Sequence, residues 1–378
     1  MTAFNRNIYL QQVLKKKSVL LLGPRGTGKS FYIRNELENI HVINLLKSSE
    51  YLPLSNNPSL LEEIVAAHNG KIIVIDEVQK IPALMDEAHR LIEEKGTRFL
   101  LTGSSARKLS SSGANLLAGR ARLARFFPLN TYELKKWDLK KILTYGSLPA
   151  VWNSEEPNEE LDSYIQTYIE AELKSEGIIR KVPAFSRFLK QASLHSGELL
   201  NFQNISSDAG VPVSTIKEHY KILEDTMIGF TLEPWLGSKK RKAIATAKFY
   251  FFDIGVLNFI SETFPESVSS PIWGSRFEHF IVNEIRCANF YQRRKCSLNF
   301  WRSTSQFEVD VIFGKTAIEI KSTSKVTEKD LKGLYALKEE NLLSKYILVS
   351  SDPVERVKDG IHIIHYKKYL EKLWAGVD

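Results

Sequence analysis

The sequence predicts an α/β chain that opens with a doubly wound parallel sheet. Three observations carry this reading. Gly23-Pro24-Arg25-Gly26-Thr27-Gly28-Lys29-Ser30 follows a short apolar run and leads into a helix-compatible stretch, FYIRNELENI. Residues 71–77 form an aliphatic run that closes on Asp76 and Glu77, the signature of a strand buried on both faces. Strand-like and helix-like stretches alternate up to residue 105, as helices on both sides of a parallel sheet require.

At 378 residues the chain exceeds one ordinary core, so two or three domains are expected. No segment approaches the ~18 consecutive apolar residues of a membrane span, and the first residues lack the order of a secretory signal. Cys287 and Cys296 are too few for a metal or disulfide framework; as reduced thiols they predict a cytoplasmic location. A net charge of +8 admits a polyanion partner without requiring one.

In chain order, residues 4–17 read as a helix before the first strand at 18–22. A second strand is expected at 41–46, helices near 60–68 and 83–95, and a strand at 98–102 followed by Gly103, Ser104 and Ser105. Residues 131–178 read as mainly helical, with a turn at 145–149, and Ser110 to Ser112 with Gly113 as a loop. Short helices separated by turns fill 185–233 and resemble the helix-turn-helix of a winged-helix module, 213–227 being its second helix. FTLEPW and KFYFF are candidate strands around the basic turn Lys239-Lys240-Arg241-Lys242. A helix at 277–289, strands at 298–302, 307–313, 316–320 and 346–350, and a helix at 328–340 complete a last α/β unit. The resulting domains are 1–130, 131–184, 185–255 and 256–378.

The glycine-rich octapeptide has the spacing of a phosphate loop in its required strand–loop–helix context. Glycines let backbone N–H groups turn toward phosphate oxygens, Lys29 brings charge to the β- and γ-phosphates, and Ser30 offers a hydroxyl to Mg²⁺. The expected ligands are therefore ATP and Mg²⁺, with residues 23–30 forming the nucleotide site. Asp76 suits a Mg²⁺ ligand, and Glu77 suits the residue that polarises the attacking water. Thr102 and Ser104, at the end of the next strand, are placed either to sense the γ-phosphate or to make a helix cap or ST-turn. Arg120, with Arg122 and Arg125 behind it, is the candidate for an arginine that stabilises the transition state, often from a neighbouring subunit, which would make the protein a homo-oligomer. The alternative is a solvated basic face.

The strings GPRGTGKS, IIVIDEVQK, FLLTGSSARKL and LAGRARLARFFPL, with YGSLPAV, KFYFFDIGVLNFI and GSRFEHFIVNEI later, resemble prokaryotic AAA-type ATPases that carry a C-terminal restriction-endonuclease-like domain. The resemblance spans nearly the whole chain and implies a hydrolysing ATPase core. It also implies a metal-dependent phosphodiesterase site of Asp310, then Glu319 and Lys321, with Glu278 as a helical third acid. Glu319 and Lys321 lie two apart, so in a strand they share a face. Two carboxylates suit Mg²⁺, and the lysine suits a water or the scissile phosphate. The alternative is an amphipathic strand with a salt bridge. Two functions remain open: an ATPase coupled to DNA binding or processing, with the basic turn contacting phosphates, and an ATPase switch whose last domain is structural or binds a partner.

Overall fold

The computed structural model describes residues 4–104, 119–170 and 182–377. The expected loop at 110–113, Ser105, and residues 171–178 of the helical stretch lie outside the described residues. Two compact units emerge, one built from Asn5–Pro128 with Lys221–Ile228, the other from Leu129–Tyr220 and Gly229–Asp378.

The first unit runs α1 (Leu10–Leu14), β1 (Ser18–Leu22), α2 (Lys29–Glu36), β2 (Ile40–Asn44), α3 (Ser48–Asn56), α4 (Leu60–Ala67), β3 (Ile72–Asp76), α5 (Ala83–Lys95), β4 (Phe99–Gly103) and β5 (Ala121–Arg125). All strands are parallel in the order β2-β3-β4-β1-β5. Alternation along the strands divides their side chains between two cores. Val19, Leu21, Val74 and Leu100 pack with α1 and with Tyr32 and Ile33 of α2. Leu20, Leu22, Ile73, Ile75 and Leu101 pack with Leu61 and Val65 of α4 and with Leu84, Met85, Ala88 and Leu91 of α5. Each fully buried leucine or isoleucine contributes ~1.5–3 kcal/mol over exposure, which explains why the central strands are aliphatic throughout. This parallel sheet fits a P-loop AAA fold. Because every strand points the same way, the loop after β1, Asp76 at the end of β3, and the end of β4 share one edge. The strand β5 is not foreseen by the sequence reading. Its half-exposed edge position leaves ARLAR without an apolar run to betray it.

The second unit begins with short helices α6 (Thr131–Leu134), α7 (Leu139–Tyr145), α8 (Pro149–Asn153) and α9 (Pro157–Tyr164). Next come α10 (Val182–Leu194), α11 (Phe202–Ala209) and α12 (Val213–Asp225), whose residues from Lys221 onward are counted with the first unit, and then β6 (Gly229–Pro234), β7 (Lys248–Phe251), α13 (Ile254–Ser261) and α14 (Pro271–Tyr291). The chain closes with β8 (Leu298–Arg302), β9 (Glu308–Phe313), β10 (Thr316–Lys321), α15 (Lys332–Lys338), β11 (Lys345–Ser350), β12 (Arg356–Lys358), β13 (Ile361–His365) and α16 (Tyr366–Ala375). The eight strands β6 to β13 make one mixed sheet, ordered β12-β13-β11-β10-β9-β8-β6-β7. This corrects the division at 255/256. The pair β6–β7, read as the wing of a separate module, continues the sheet of the last segment through parallel pairing of Glu233 and Pro234 with Asn299 and Phe300.

Helix α14 is buried on most of its circumference, so its polar side chains need internal partners. Arg276 donates to Asn258 Oδ1 at 2.5 Å, and His279 Nε2 pairs with the Phe251 carbonyl at 2.6 Å. Glu284 accepts from Thr131 N (2.9 Å), Thr131 Oγ1 (2.8 Å) and Trp374 Nε1 (2.7 Å). These bonds tie α14 to α6 and α16. Among the described residues no helix is long and apolar enough to cross a membrane.

Candidate functional site

The phosphate loop is shaped by two requirements on its glycines. Gly28 caps α2 at a φ of 93°, in the left-handed region that side chains disfavour. At Gly23 a Cβ would run into the backbone of Phe126. Thr27 Oγ1 donates to the Pro24 carbonyl at 2.8 Å, and the Arg6 guanidinium holds the carbonyls of Thr27 (2.8 Å) and Phe127 (2.6 Å). The Lys29 ammonium is buried and donates to the carbonyls of Gly23 (2.6 Å) and Pro24 (2.8 Å).

Beneath the loop, Ser30 Oγ donates to Asp76 Oδ2 at 2.9 Å, and Thr102 Oγ1 donates to Asp76 Oδ1 at 2.5 Å. The Thr102 hydroxyl also accepts from Glu77 N at 3.1 Å. Thr102 is thus neither a cap nor an ST-turn; it locks both acids to β4. Glu77 adopts φ 64° and ψ 45°, a left-handed conformation uncommon outside glycine. Its carboxylate accepts from Gln79 Nε2 and lies 4.0 Å from the Arg25 guanidinium. Gln79 Nε2 also donates to Ser104 Oγ at 3.2 Å. A hydroxyl and a carboxylate oxygen already paired at 2.9 Å are hard oxygen donors, so Ser30 and Asp76 fit Mg²⁺.

Arg120 sits at the amino end of β5, and its guanidinium pairs with Glu93 of α5. Since Ser18 aligns with Ala121 and Leu22 with Arg125, Arg120 lies a strand's length, ~16 Å, from the loop edge of its own sheet. That distance removes it from its own nucleotide site. Arg125 lies at the loop end of β5, where burial lowers the pKa of its guanidinium.

In the second unit, β9 and β10 form a hairpin whose pairs are Phe313–Thr316, Ile312–Ala317 and Val311–Ile318. Continued by one pair, this register sets Asp310 opposite Glu319. Asp310 Oδ2 accepts from Ile320 N at 2.8 Å. Lys321 Nζ lies 2.5 Å from Glu319 Oε1 and 3.8 Å from Asp310 Oδ2. The three residues are brought together, with Lys321 in the salt bridge that the alternative reading anticipated. Burial and the charge of Asp310 push the Glu319 carboxyl well above the usual carboxylate range, while Lys321 pulls the other way. Burial opposes the Lys321 charge, but Asp310 and Glu319 outweigh it and hold the ammonium protonated.

Glu278 does not join as a third acidic ligand. Its Oε1 accepts from Tyr250 OH at 2.6 Å and pairs with Lys248 Nζ at 3.3 Å. Lys248, also 2.7 Å from Glu308 Oε1, is buried. Burial opposes its charge, but Glu278, Tyr250, Glu308 and Asp310 raise its pKa on balance. Among the described residues no three His, Cys, Asp or Glu side chains are grouped to hold a metal. Asp310 and Glu319 still offer hard oxygen donors, and Glu319 Oε2 is buried with no hydrogen-bond partner. An orphaned carboxylate oxygen beside a second acid fits a divalent cation. Lys248, Tyr250 and Glu308 escaped the sequence reading; the one available signal was the period-2 pairing of Lys248 with Tyr250 in KFYFF.

The basic turn is partly neutralised from within. Glu340 accepts from Ser238 Oγ (2.7 Å), Lys239 N (2.8 Å), Lys240 N (2.9 Å) and Arg241 N (3.1 Å). Burial alone would raise this carboxyl, but those donors pull it down to about 2. Arg241 is committed to Glu339 and to the Ala336 carbonyl; Lys239, Lys240 and Lys242 are exposed, with Lys240 Nζ donating to the Glu339 carbonyl at 2.5 Å.

Residues 15–135 match the family described as AAA domain. Residues 136–267 and 273–369 match two families described as domains of unknown function (DUF8612 and DUF4143). An uncharacterized protein of Haemophilus influenzae is 24% identical, covering 97% of this chain and 98% of that protein. The uncharacterized protein MJ1544 of Methanocaldococcus jannaschii is also 24% identical, covering 95% of this chain and 88% of its own length. Among solved structures, the Orc1 protein of Aeropyrum pernix in complex with DNA aligns with a TM-score of 0.25 at 13% identity, over 65% of this chain and 86% of that one. The first match supports an AAA-type ATPase domain. The match at residues 273–369 does not confirm a restriction-endonuclease-like domain.

Proposed function

We propose that the chain is a Mg²⁺-dependent ATP hydrolase. The observation that carries this reading is the relay Ser30–Asp76–Thr102–Glu77, which ties the phosphate loop to both strand-end acids. Mg²⁺, when bound, neutralises developing charge on the phosphate oxygens. Ser30 and Asp76 would hold it, Lys29 would turn from the Gly23 and Pro24 carbonyls to the β- and γ-phosphates, and the loop N–H groups would orient them. The Glu77 carboxylate takes a hydrogen bond from the attacking water and removes its proton as the water oxygen bonds to the γ-phosphorus and the bond from that phosphorus to the β–γ bridging oxygen breaks, ADP leaving with the electron pair. Arg120 acts, on this reading, on the nucleotide of a neighbouring copy. The two free thiols suit a reducing, cytoplasmic setting. Phosphate release by the purified protein tests the proposal. Lys29→Ala should lose nucleotide binding, whereas Glu77→Gln should keep binding and lose turnover by ~10²-fold or more. Unchanged phosphate release from Glu77→Gln removes Glu77 from this role.

A second activity is favoured by the orphaned Glu319 Oε2 beside Asp310: metal-dependent cleavage of a DNA phosphodiester, with Lys321 stabilising the pentacovalent phosphate. The competing account is an ATPase switch whose last sheet is structural, with Lys321 only neutralising its neighbours. Asp310→Asn should abolish Mg²⁺- or Mn²⁺-dependent cleavage and spare ATP hydrolysis. Absence of cleavage of every DNA form by the wild-type protein leaves the switch.

A further inference from the structure

Gln79 is buried, yet nothing in the phosphate-loop pattern requires a glutamine there. Its carboxamide nitrogen faces two acceptors, the Glu77 carboxylate and Ser104 Oγ. The orientation of the amide is fixed by chemistry, because an ionised carboxylate only accepts and Nε2 must therefore face it. The carboxamide oxygen, turned toward Gly103, is buried and accepts no hydrogen bond. Gly103 is the residue this arrangement requires, since a Cβ there would stand 2.8 Å from that oxygen. Leaving a buried carbonyl unsatisfied is unfavourable, so the two bonds on the nitrogen side dictate the placement.

The same carboxylate has a constrained backbone behind it, with its N–H held by Thr102. Glu77 is therefore clamped from three directions: Thr102 at the backbone, Gln79 at the carboxylate and Arg25 at 4.0 Å. We propose that Gln79 is a positioning residue for ATP hydrolysis, aiming the Glu77 carboxylate and linking it through one amide group to Ser104 at the end of β4. The inference rests on the ATPase reading and adds a component to it. A Ser104 hydroxyl engaged by the γ-phosphate then acts on the water-polarising carboxylate through a single shared donor.

A double-mutant cycle on the full chain tests this, with single-turnover ATP hydrolysis and binding of a fluorescent ATP analogue as separate readouts. Gln79→Met keeps the side-chain length and removes the donor. It should lower the hydrolysis rate ~10- to 100-fold while nucleotide Kd stays within about twofold. In the Glu77→Gln background the same change should lower the residual rate no further, because the residue through which Gln79 acts is already disabled. Ser104→Ala, which cuts the other branch, should be partly non-additive with Gln79→Met. Equal fold-losses in both backgrounds, or an unchanged rate in Gln79→Met, overturn the proposal. If Gln79→Met loses nucleotide binding as well, Gln79→Glu decides: it keeps size and polarity but sets a like charge against Glu77. A Gln79→Glu protein that binds ATP and hydrolyses it at the wild-type rate also overturns the proposal. A wild-type protein that binds ATP without hydrolysing it refutes the ATPase reading itself, and this outcome is distinct from additivity in the cycle.

Discussion

Replacing Glu284 by glutamine should flatten the pH dependence of stability in the second unit. Burial raises the Glu284 carboxyl from 4.5 to about 7, against the pull of Trp374 and Thr131. Between those values the native state binds a proton that the unfolded chain has released, so stability falls as pH rises through this window. The displacement from 4.5 to about 7, at ~1.4 kcal/mol per pH unit, corresponds to ~3 kcal/mol in full, about three-quarters of it developed between pH 5 and 8. The side chain is only 5% exposed, so solvent screening does little to reduce the figure. Glutamine cannot ionise and keeps an acceptor for Thr131 and Trp374, although its amide nitrogen now faces one donor. The assay is urea unfolding followed by tryptophan fluorescence. All six tryptophans (137, 152, 235, 273, 301 and 374) fall in the second unit, so the signal reports that unit alone. Asp253, raised by burial to about 6, and His279, lowered by burial to about 3, also titrate with unfolding but do so in both proteins. The wild-type-minus-variant difference should therefore change by about 2.5 kcal/mol from pH 5 to 8 in favour of the variant. Parallel curves would refute the assignment of a protonated Glu284 to the native core.

Two further outcomes follow from site placement. Arg120 is too far from its own phosphate loop to act there, so specific ATPase activity should rise with protein concentration and Arg120→Ala should abolish that rise while leaving nucleotide Kd unchanged. Normal turnover by Arg120→Ala at all concentrations ends the trans-acting role. Neutralising Lys239, Lys240 and Lys242 together should weaken DNA binding evenly across sequences and reduce the slope of log K against log salt by up to ~3; binding indifferent to salt, measured by anisotropy, excludes phosphate contacts by this turn. Arg241 is left unchanged because it supports Glu339 and Ala336.

What could be read in the sequence depended on how locally each feature is encoded. Residues 23–30 are contiguous, and their glycines answer to local dihedrals and one close approach, so the loop was legible outright. Asp76 and Glu77 needed only the strand before them. Asp310 and Glu319 were legible because a tight hairpin at residues 313–316 fixes their register. The rest lies in pairings that no local pattern records. Lys248 reaches Glu308 only through the neighbouring strands β7, β6, β8 and β9, and Glu284 meets Thr131 and Trp374 across 153 and 90 residues of chain. The winged-helix division failed for the same reason: β6 and β7 form a local hairpin that the larger sheet then absorbs.

That topology also bears on how the second centre would admit a metal. The carboxylates of Glu278, Glu308, Asp310 and Glu319 face Lys248, Lys321 and Arg302, so charge is nearly balanced before any cation enters. The two lysines are not equivalent. The Lys248 side chain is 4% exposed and bound to two acids, so its ammonium cannot leave Glu278 and Glu308 without being stranded in a buried site. Lys321 is 37% exposed, and water can solvate its ammonium as it swings away from Glu319 Oε1. A divalent cation at Asp310 and Glu319 therefore has to displace Lys321 and not Lys248. Lys321→Met should tighten Mn²⁺ binding, measured calorimetrically without nucleotide, even as it removes the group that would stabilise the scissile phosphate. Weaker or unchanged Mn²⁺ binding in that variant would mean that Lys321 does not compete for the acids, and the case for a cation between them would lose its physical basis.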